Sequence, residues 1–75
     1  MTYRICYENV DSYTIGQRIQ EVRLKKGIKQ HELAKKIGVD RTSLSAYENG
    51  KRLPDIMTLC RIANVLEVTL DELII

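Results

Sequence analysis

Residues 29 to 54, KQHELAKKIGVDRTSLSAYENGKRLP, carry helical periodicity on both sides of Gly38, with almost nothing between the two halves. Leu33, Ala34 and Ile37 form an apolar stripe before the glycine, and Leu44 and Tyr47 form another after it. Gly38 suits the end of the first segment, because a residue without Cβ turns left-handed at little cost. Asp40 then suits the N-cap of the next, with Val39 placed to pack on Leu44 as a hydrophobic staple. Gly50 closes that segment and Pro54 breaks the chain after it. Two short helices joined by so tight a turn leave little freedom in how the rest must cover them.

The flanking segments have the same character. Thr14 and Gln17 are spaced as a capping box that opens a first helix, with Ile15, Ile19 and Val22 inward, a basic last turn at Lys25 and Lys26, and Gly27 as its stop. Beyond Pro54, Asp55 caps a fourth helix whose stripe is Ile56, Leu59, Ile62, Ala63 and Leu66. Thr69 and Glu72 form a second capping box, Val68 and Leu73 a second staple, and Leu70, Leu73 and Ile74 face inward. The predicted fold is all-α: a compact five-helix domain over residues 14–75, preceded by an arm of residues 1–13. In that arm Tyr3, Ile5 and Tyr7 alternate with Thr2, Arg4 and Cys6, the periodicity of a strand. A lone strand cannot stand by itself, so the arm pairs with a second copy, lies on the helices, or frays.

Seventy-five residues without Trp or Phe allow one small aliphatic core. Cys6 and Cys60 are far apart and His31 has no partner at ligand spacing, so no zinc site or disulfide framework is indicated and no metal or cofactor is expected. Cys60, beside the fourth stripe, reads as a buried small hydrophobe. Charges interrupt every apolar run near the start, and no run is long enough to span a membrane, which points to a cytoplasmic protein. An enzyme is not expected: there is no paired His and nucleophile, no glycine-rich phosphate loop, and little volume for a cleft.

Net charge is only +2, but it is unevenly spread. Ten Lys and Arg stand against four acids between Ile15 and Pro54, whereas residues 1–14 and 55–75 are both net acidic. A polyanion would meet the middle of the chain. There, the outward side of the third helix carries Arg41, Thr42, Ser45, Ala46 and Asn49. A solvated face usually carries Glu and Lys, which favour helix; Ser, Thr and Asn weaken it. Small donors and acceptors do suit close approach to base edges in a major groove.

From the first helix through GIKQHELAKKIGVDRTSLSAYENGKRLPDIMTLCRIANVLEVTLDEL, the chain resembles the phage repressor and Cro helix-turn-helix family, also called the xenobiotic-response-element family. Matching features are Gln30, ELA at Glu32 to Ala34, IGV at the turn, YENGKRLP after the third helix and ANVLEVTLDEL at the end. The resemblance covers roughly residues 14 to 74. It implies a third helix in the major groove, with Arg41, Thr42 and Ser45 at base edges and Ala46 against a thymine methyl. It implies phosphate contacts from Gln30 and Lys29 at the start of the second helix, from Ser43, and from Asn49, Lys51 and Arg52 after the third. It also implies an Arg23–Glu48 ion pair, with Arg23 near the DNA backbone. Lys35 and Lys36, on later turns of the second helix, read as solubilising charges, and His31 as incidental.

Two positions depart from the family. Lys29 stands where Thr or Ser is usual and gives a weak N-cap, and Glu67 stands where Gly is usual, at some strain if it is left-handed. The expected function is sequence-specific binding of double-stranded DNA by a dimeric transcriptional regulator, a repressor, on a palindromic operator with half-sites about 34 Å apart. The expected homodimer surface is the apolar run Leu73 to Ile75 or the arm, and no effector domain is expected. The alternative is a protein-interaction module, such as an antitoxin or a bridging component, for which DNA is secondary.

Overall fold

Helix starts in this chain fall where a side chain can accept an otherwise orphaned amide. The computed structural model describes residues 11–74. In that span the chain forms α1 (Ser12–Lys25), α2 (Gln30–Ile37), α3 (Arg41–Glu48), α4 (Ile56–Leu66) and α5 (Leu70–Ile74), with no strand among the described residues. The alternating Tyr3, Ile5 and Tyr7, Cys6 and the terminal Ile75 lie outside the described residues.

Asp40 Oδ1 accepts the Ser43 amide at 3.0 Å and Asp55 Oδ1 accepts the Thr58 amide at 2.8 Å. Thr69 and Glu72 form the expected reciprocal box, the Glu72 amide donating to Thr69 Oγ1 at 3.3 Å and the Thr69 amide to Glu72 Oε1 at 3.2 Å. Lys29 offers no acceptor to α2; Glu32 compensates by accepting the Lys29 amide at 2.9 Å. Gly38 ends α2 in the left-handed conformation at φ 80°, and the Val39 amide reaches back to the Ala34 carbonyl at 3.1 Å.

The start of α1 differs from expectation. Asp11, not Thr14, is the cap, and its Oδ1 accepts the Thr14 amide at 2.7 Å. Gln17 forms no capping box and donates to the Tyr13 hydroxyl at 2.8 Å. The start three residues earlier gains a tertiary contact, since Ser12 Oγ donates to the Gly50 carbonyl at 3.2 Å.

The core gathers Ile15 and Ile19 from α1, Leu33, Ala34 and Ile37 from α2, Leu44 and Tyr47 from α3, Leu59, Ile62, Ala63 and Leu66 from α4, and Leu73 from α5. Val22, Val39, Val68 and Leu70 pack at its edge. Each of the larger aliphatic side chains that is fully buried contributes about 1.5–3 kcal/mol relative to exposure. Three expectations fail here. Ile56 is exposed and Thr58 takes an inward position: α4 starts at Asp55 as expected, but the side that packs on the core holds Thr58, Leu59, Ile62, Ala63 and Leu66 and leaves the first helical residue outside. Cys60 is exposed for the same reason. Leu73 is fully buried in its own domain, as its inward reading requires, which removes it from the run Leu73 to Ile75 offered as one of two dimer surfaces; Ile74 is half-buried.

Glu67 adopts the left-handed conformation, φ 60° and ψ 43°, and is the sole non-glycine residue with positive φ among the described residues. α1 meets the end of α3 closely at Gly16, where an added Cβ would lie 2.1 Å from the Tyr47 carbonyl oxygen and 2.9 Å from that of Glu48. α1 can therefore lie against the end of α3 only through a residue without a side chain. That contact sets how α3 is held at the surface.

Candidate nucleic-acid interface

The outward side of α3 forms one wall of an open groove of about 500 Å³ lined by Gln30, Arg41, Thr42, Ser45, Ala46, Asn49 and Lys51. Helical spacing brings Arg41, Thr42, Ser45, Ala46 and Asn49 to one side, because Leu44 and Tyr47 are held inward. Arg41, Thr42, Asn49 and Lys51 are exposed, and Ser45, Ala46 and Gln30 are half-buried. Asn49 Nδ2 donates to Ser45 Oγ at 3.3 Å, which leaves the Ser45 hydroxyl proton free to donate outward.

Beneath the groove lies a buried charge pair. Arg23 Nε donates to Glu48 Oε2 at 2.7 Å and Arg23 Nη2 to Glu48 Oε1 at 3.0 Å, a two-pronged contact between α1 and the end of α3. Arg23 Nη1 also donates to the Ile28 carbonyl at 2.9 Å. Glu48 is 2% exposed and Arg23 7%. Gln30 Nε2 completes the network by donating to Glu48 Oε1 at 3.2 Å. One carboxylate thus ties together α1, α3 and the first residue of α2.

The structure brings seven of the expected contact residues, Asn49 among them, into one concavity and leaves others outside. Lys29 is exposed at the mouth of α2 but does not line the groove. Ser43 is half-buried and turned to Asp40; its side chain and amide together hold the Asp40 carboxyl below its ordinary range, with the Arg52 charge adding to this. The Arg52 guanidinium lies over the Tyr47 ring, 5.7 Å from its centroid. Arg23, expected near phosphate, is spent inside the protein: all three of its nitrogens donate to Glu48 or the Ile28 carbonyl. Its role here is to hold α3. The links from Gln30 to Glu48 and from Asn49 to Ser45 were not expected. The first joins residues eighteen apart and leaves no local pattern; Gly16 did leave one, a glycine inside a helix.

A helix-turn-helix family model matches residues 19–73, which is more than half of the chain. The chain belongs to the helix-turn-helix family. Its relatives and structural neighbours include phage repressors and other helix-turn-helix transcriptional regulators, the group that the motifs resembled. The "ImmF control region 10 kDa protein" of Bacillus phage phi105 is 42% identical over 64 residues, covering 85% of this chain and 71% of that protein. The P22 c2 repressor, solved with a synthetic operator, superposes with a TM-score of 0.75 at 30% identity, covering 80% of this chain and 91% of that one. SinR, a master regulator for biofilm formation solved with DNA, gives 0.74 at 40% identity, covering 79% and 95%. Against three Bacillus subtilis regulators the match spans only about half of their length. This is a family of DNA-binding transcriptional regulators and not of enzymes. No helix among the described residues is long and apolar enough to cross a membrane.

Proposed function

We propose that this helix-turn-helix chain is a dimeric repressor that reads a two-fold symmetric operator through α3 in the major groove. The observation that carries this is the groove itself. Arg41, Thr42, Ser45 and Ala46 present a cation, two hydroxyls and a methyl on a helix whose opposite side is locked into the core. Gln30, Asn49 and Lys51 line the same groove and are assigned to phosphates, with Lys29 and Ser43 near the first turns of their helices. Arg52 adds charge beside Lys51. Arg23 stands behind the phosphate set rather than in it: three of its five N–H donors go to Glu48 and the Ile28 carbonyl, and the residue is only 7% exposed. One helix contacts too few base pairs for useful discrimination, which is why two copies on two half-sites are required.

The test is selection of bound duplexes from a random pool, followed by affinity for the selected sequence against scrambled DNA across a salt series. The expected result is a palindromic sequence bound at least ~1,000-fold more tightly than scrambled DNA. Equal binding to all duplexes, falling steeply with salt, overturns sequence-specific recognition and favours a protein-interaction module.

A further inference from the structure

Ser45 lies on the groove side of α3, half-buried, with Asn49 one turn further on. A serine hydroxyl can donate or accept, so on a face that meets base edges its residue type alone selects nothing. Here the choice is made inside the protein. Asn49 Nδ2 donates to Ser45 Oγ at 3.3 Å, and the Ser45 proton has no acceptor among the described residues.

Asn49 is itself held in place. Its backbone amide donates to the Ser45 carbonyl at 2.9 Å, and the Gly50 amide donates to the Tyr47 carbonyl at 3.1 Å. Gly50 is left-handed at φ 76° and is pressed on the start of α1, where an added Cβ would lie 2.7 Å from Tyr13 Cα. Its carbonyl accepts Ser12 Oγ at 3.2 Å. The backbone that carries the Asn49 side chain is thus tied to α3 on one side and to α1 on the other, which keeps the side-chain amide one turn from Ser45.

We infer that Asn49 sets the polarity with which α3 reads DNA at Ser45: the Asn49 amide occupies the hydroxyl oxygen, Ser45 offers its proton, and the base it meets presents an acceptor. This rests on the proposed major-groove reading and names the base edges that the reading takes. In the major groove guanine presents the acceptors O6 and N7 and thymine the acceptor O4, whereas cytosine presents the N4 amine. Against cytosine the Ser45 proton would be left unpaired in a closed interface, and a buried unpaired donor is costly. Guanine and thymine satisfy it. Asn49 still serves phosphate, because Nδ2 carries a second N–H. It acts on the base through Ser45 and is a positioning residue.

The test repeats the selection of bound duplexes with the natural chain and with Ser45→Ala, Asn49→Ala and Asn49→Asp. Each is scored as a ratio of affinities among the four bases at every position, so that a general loss of affinity cancels. Ser45→Ala marks the position, as the one whose preference is lost. There the natural chain should favour guanine or thymine over cytosine by ~10-fold or more. Asn49→Ala should flatten that preference, because the released hydroxyl can turn its proton back to the carbonyl four residues earlier and then accept from a base. Asn49→Asp should reverse it toward cytosine or adenine, since the carboxylate takes the Ser45 proton and leaves the oxygen to accept from their amines. Asn49 is exposed, so both of its variants should keep the fold, checked by helix content. A natural preference for cytosine or adenine at that position overturns the inference, as does a Ser45→Ala variant with no change of preference anywhere. Asn49 variants that weaken all duplexes in proportion also overturn it and leave Asn49 a phosphate contact alone, with the major-groove reading standing. A natural chain that binds all duplexes equally overturns that reading as well.

Discussion

Glu48 receives both prongs of the Arg23 guanidinium, at 2.7 and 3.0 Å, and with the same carboxylate accepts the Gln30 amide. The pair is buried, so its Coulomb attraction is offset by the cost of removing both charges from water, while loss of one partner strands the other. Arg23→Met is expected to destabilise the domain by roughly 3–5 kcal/mol in urea unfolding, because Glu48 is left buried and unpaired. Arg23→Met with Glu48→Leu should recover most of that loss. If the double variant is no more stable than the single one, the pair is not acting as a coupled unit.

Arg41 and Gln30 line the same groove but are expected to fail differently when removed. Arg41→Ala should cost about 1–3 kcal/mol of binding to a selected duplex and relax preference at one base pair of each half-site. Gln30→Ala should weaken binding to every duplex alike, as loss of a backbone contact does. Competition assays against single-base operator variants separate the two. A change of preference at one position on losing Gln30 would reassign it to base reading.

The close crossing at Gly16 gives a third prediction. A Cβ there meets the Tyr47 and Glu48 carbonyl oxygens, which are backbone and cannot step aside. Gly16→Ala gains helix propensity yet should destabilise by about 1–3 kcal/mol through overpacking. Thermal unfolding decides the sign. A stabilised variant would show that α1 and α3 can separate without cost.

Leu33, Ile37, Leu44, Ile62 and Leu66 were legible from the sequence because buried helix faces repeat every three to four residues, and each is fully buried. The same periodicity misplaced Ile56 and Cys60. At the first turns of a helix it cannot tell which apolar residues the rest of the domain covers; here the covered side holds Thr58 and Leu59 and leaves Ile56 and Cys60 outside. Asp11 and Thr14 are both good caps by type; the contact of Ser12 with the Gly50 carbonyl, thirty-eight residues away, favours the earlier start. The groove was legible through the unusual composition of the outward side of α3, whereas the Gln30–Glu48 link joins two separate helices and has no sequence signature.

Acid sensitivity should reside in the caps. Hydrogen bonding lowers the carboxyls of Asp11, through the Thr14 amide, and Asp55, through the Thr58 amide; Ser43 does the same for Asp40. Each therefore holds its proton less well folded than unfolded. The stability they contribute is fully present above the unfolded value of about 3.9 and is lost as pH falls through it toward the folded values. Asp40→Asn retains a cap acceptor but removes one titrating group. Unfolding midpoints followed from about pH 6 to about pH 2 should fall less steeply for this variant. An unchanged acid limb would place the loss of stability in other carboxyls.

Glu67 is held left-handed just past α4, where the Val68 amide reaches back to the Ala63 carbonyl at 3.0 Å and the Glu67 amide to Asn64 at 3.2 Å. A side chain with Cβ costs about 1–2 kcal/mol in that conformation. Glycine avoids the clash but gives the unfolded chain more freedom, which offsets part of the gain. Glu67→Gly is therefore expected to stabilise by roughly 0.5–1 kcal/mol. Because Glu67 is exposed and does not line the groove, affinity for a selected duplex should be unchanged. A stabilised variant with altered DNA affinity would mean that the α4–α5 turn is coupled to the reading face. That coupling would have to run through α5, whose Leu73 packs in the same core as Ile15 and Ile19 of α1.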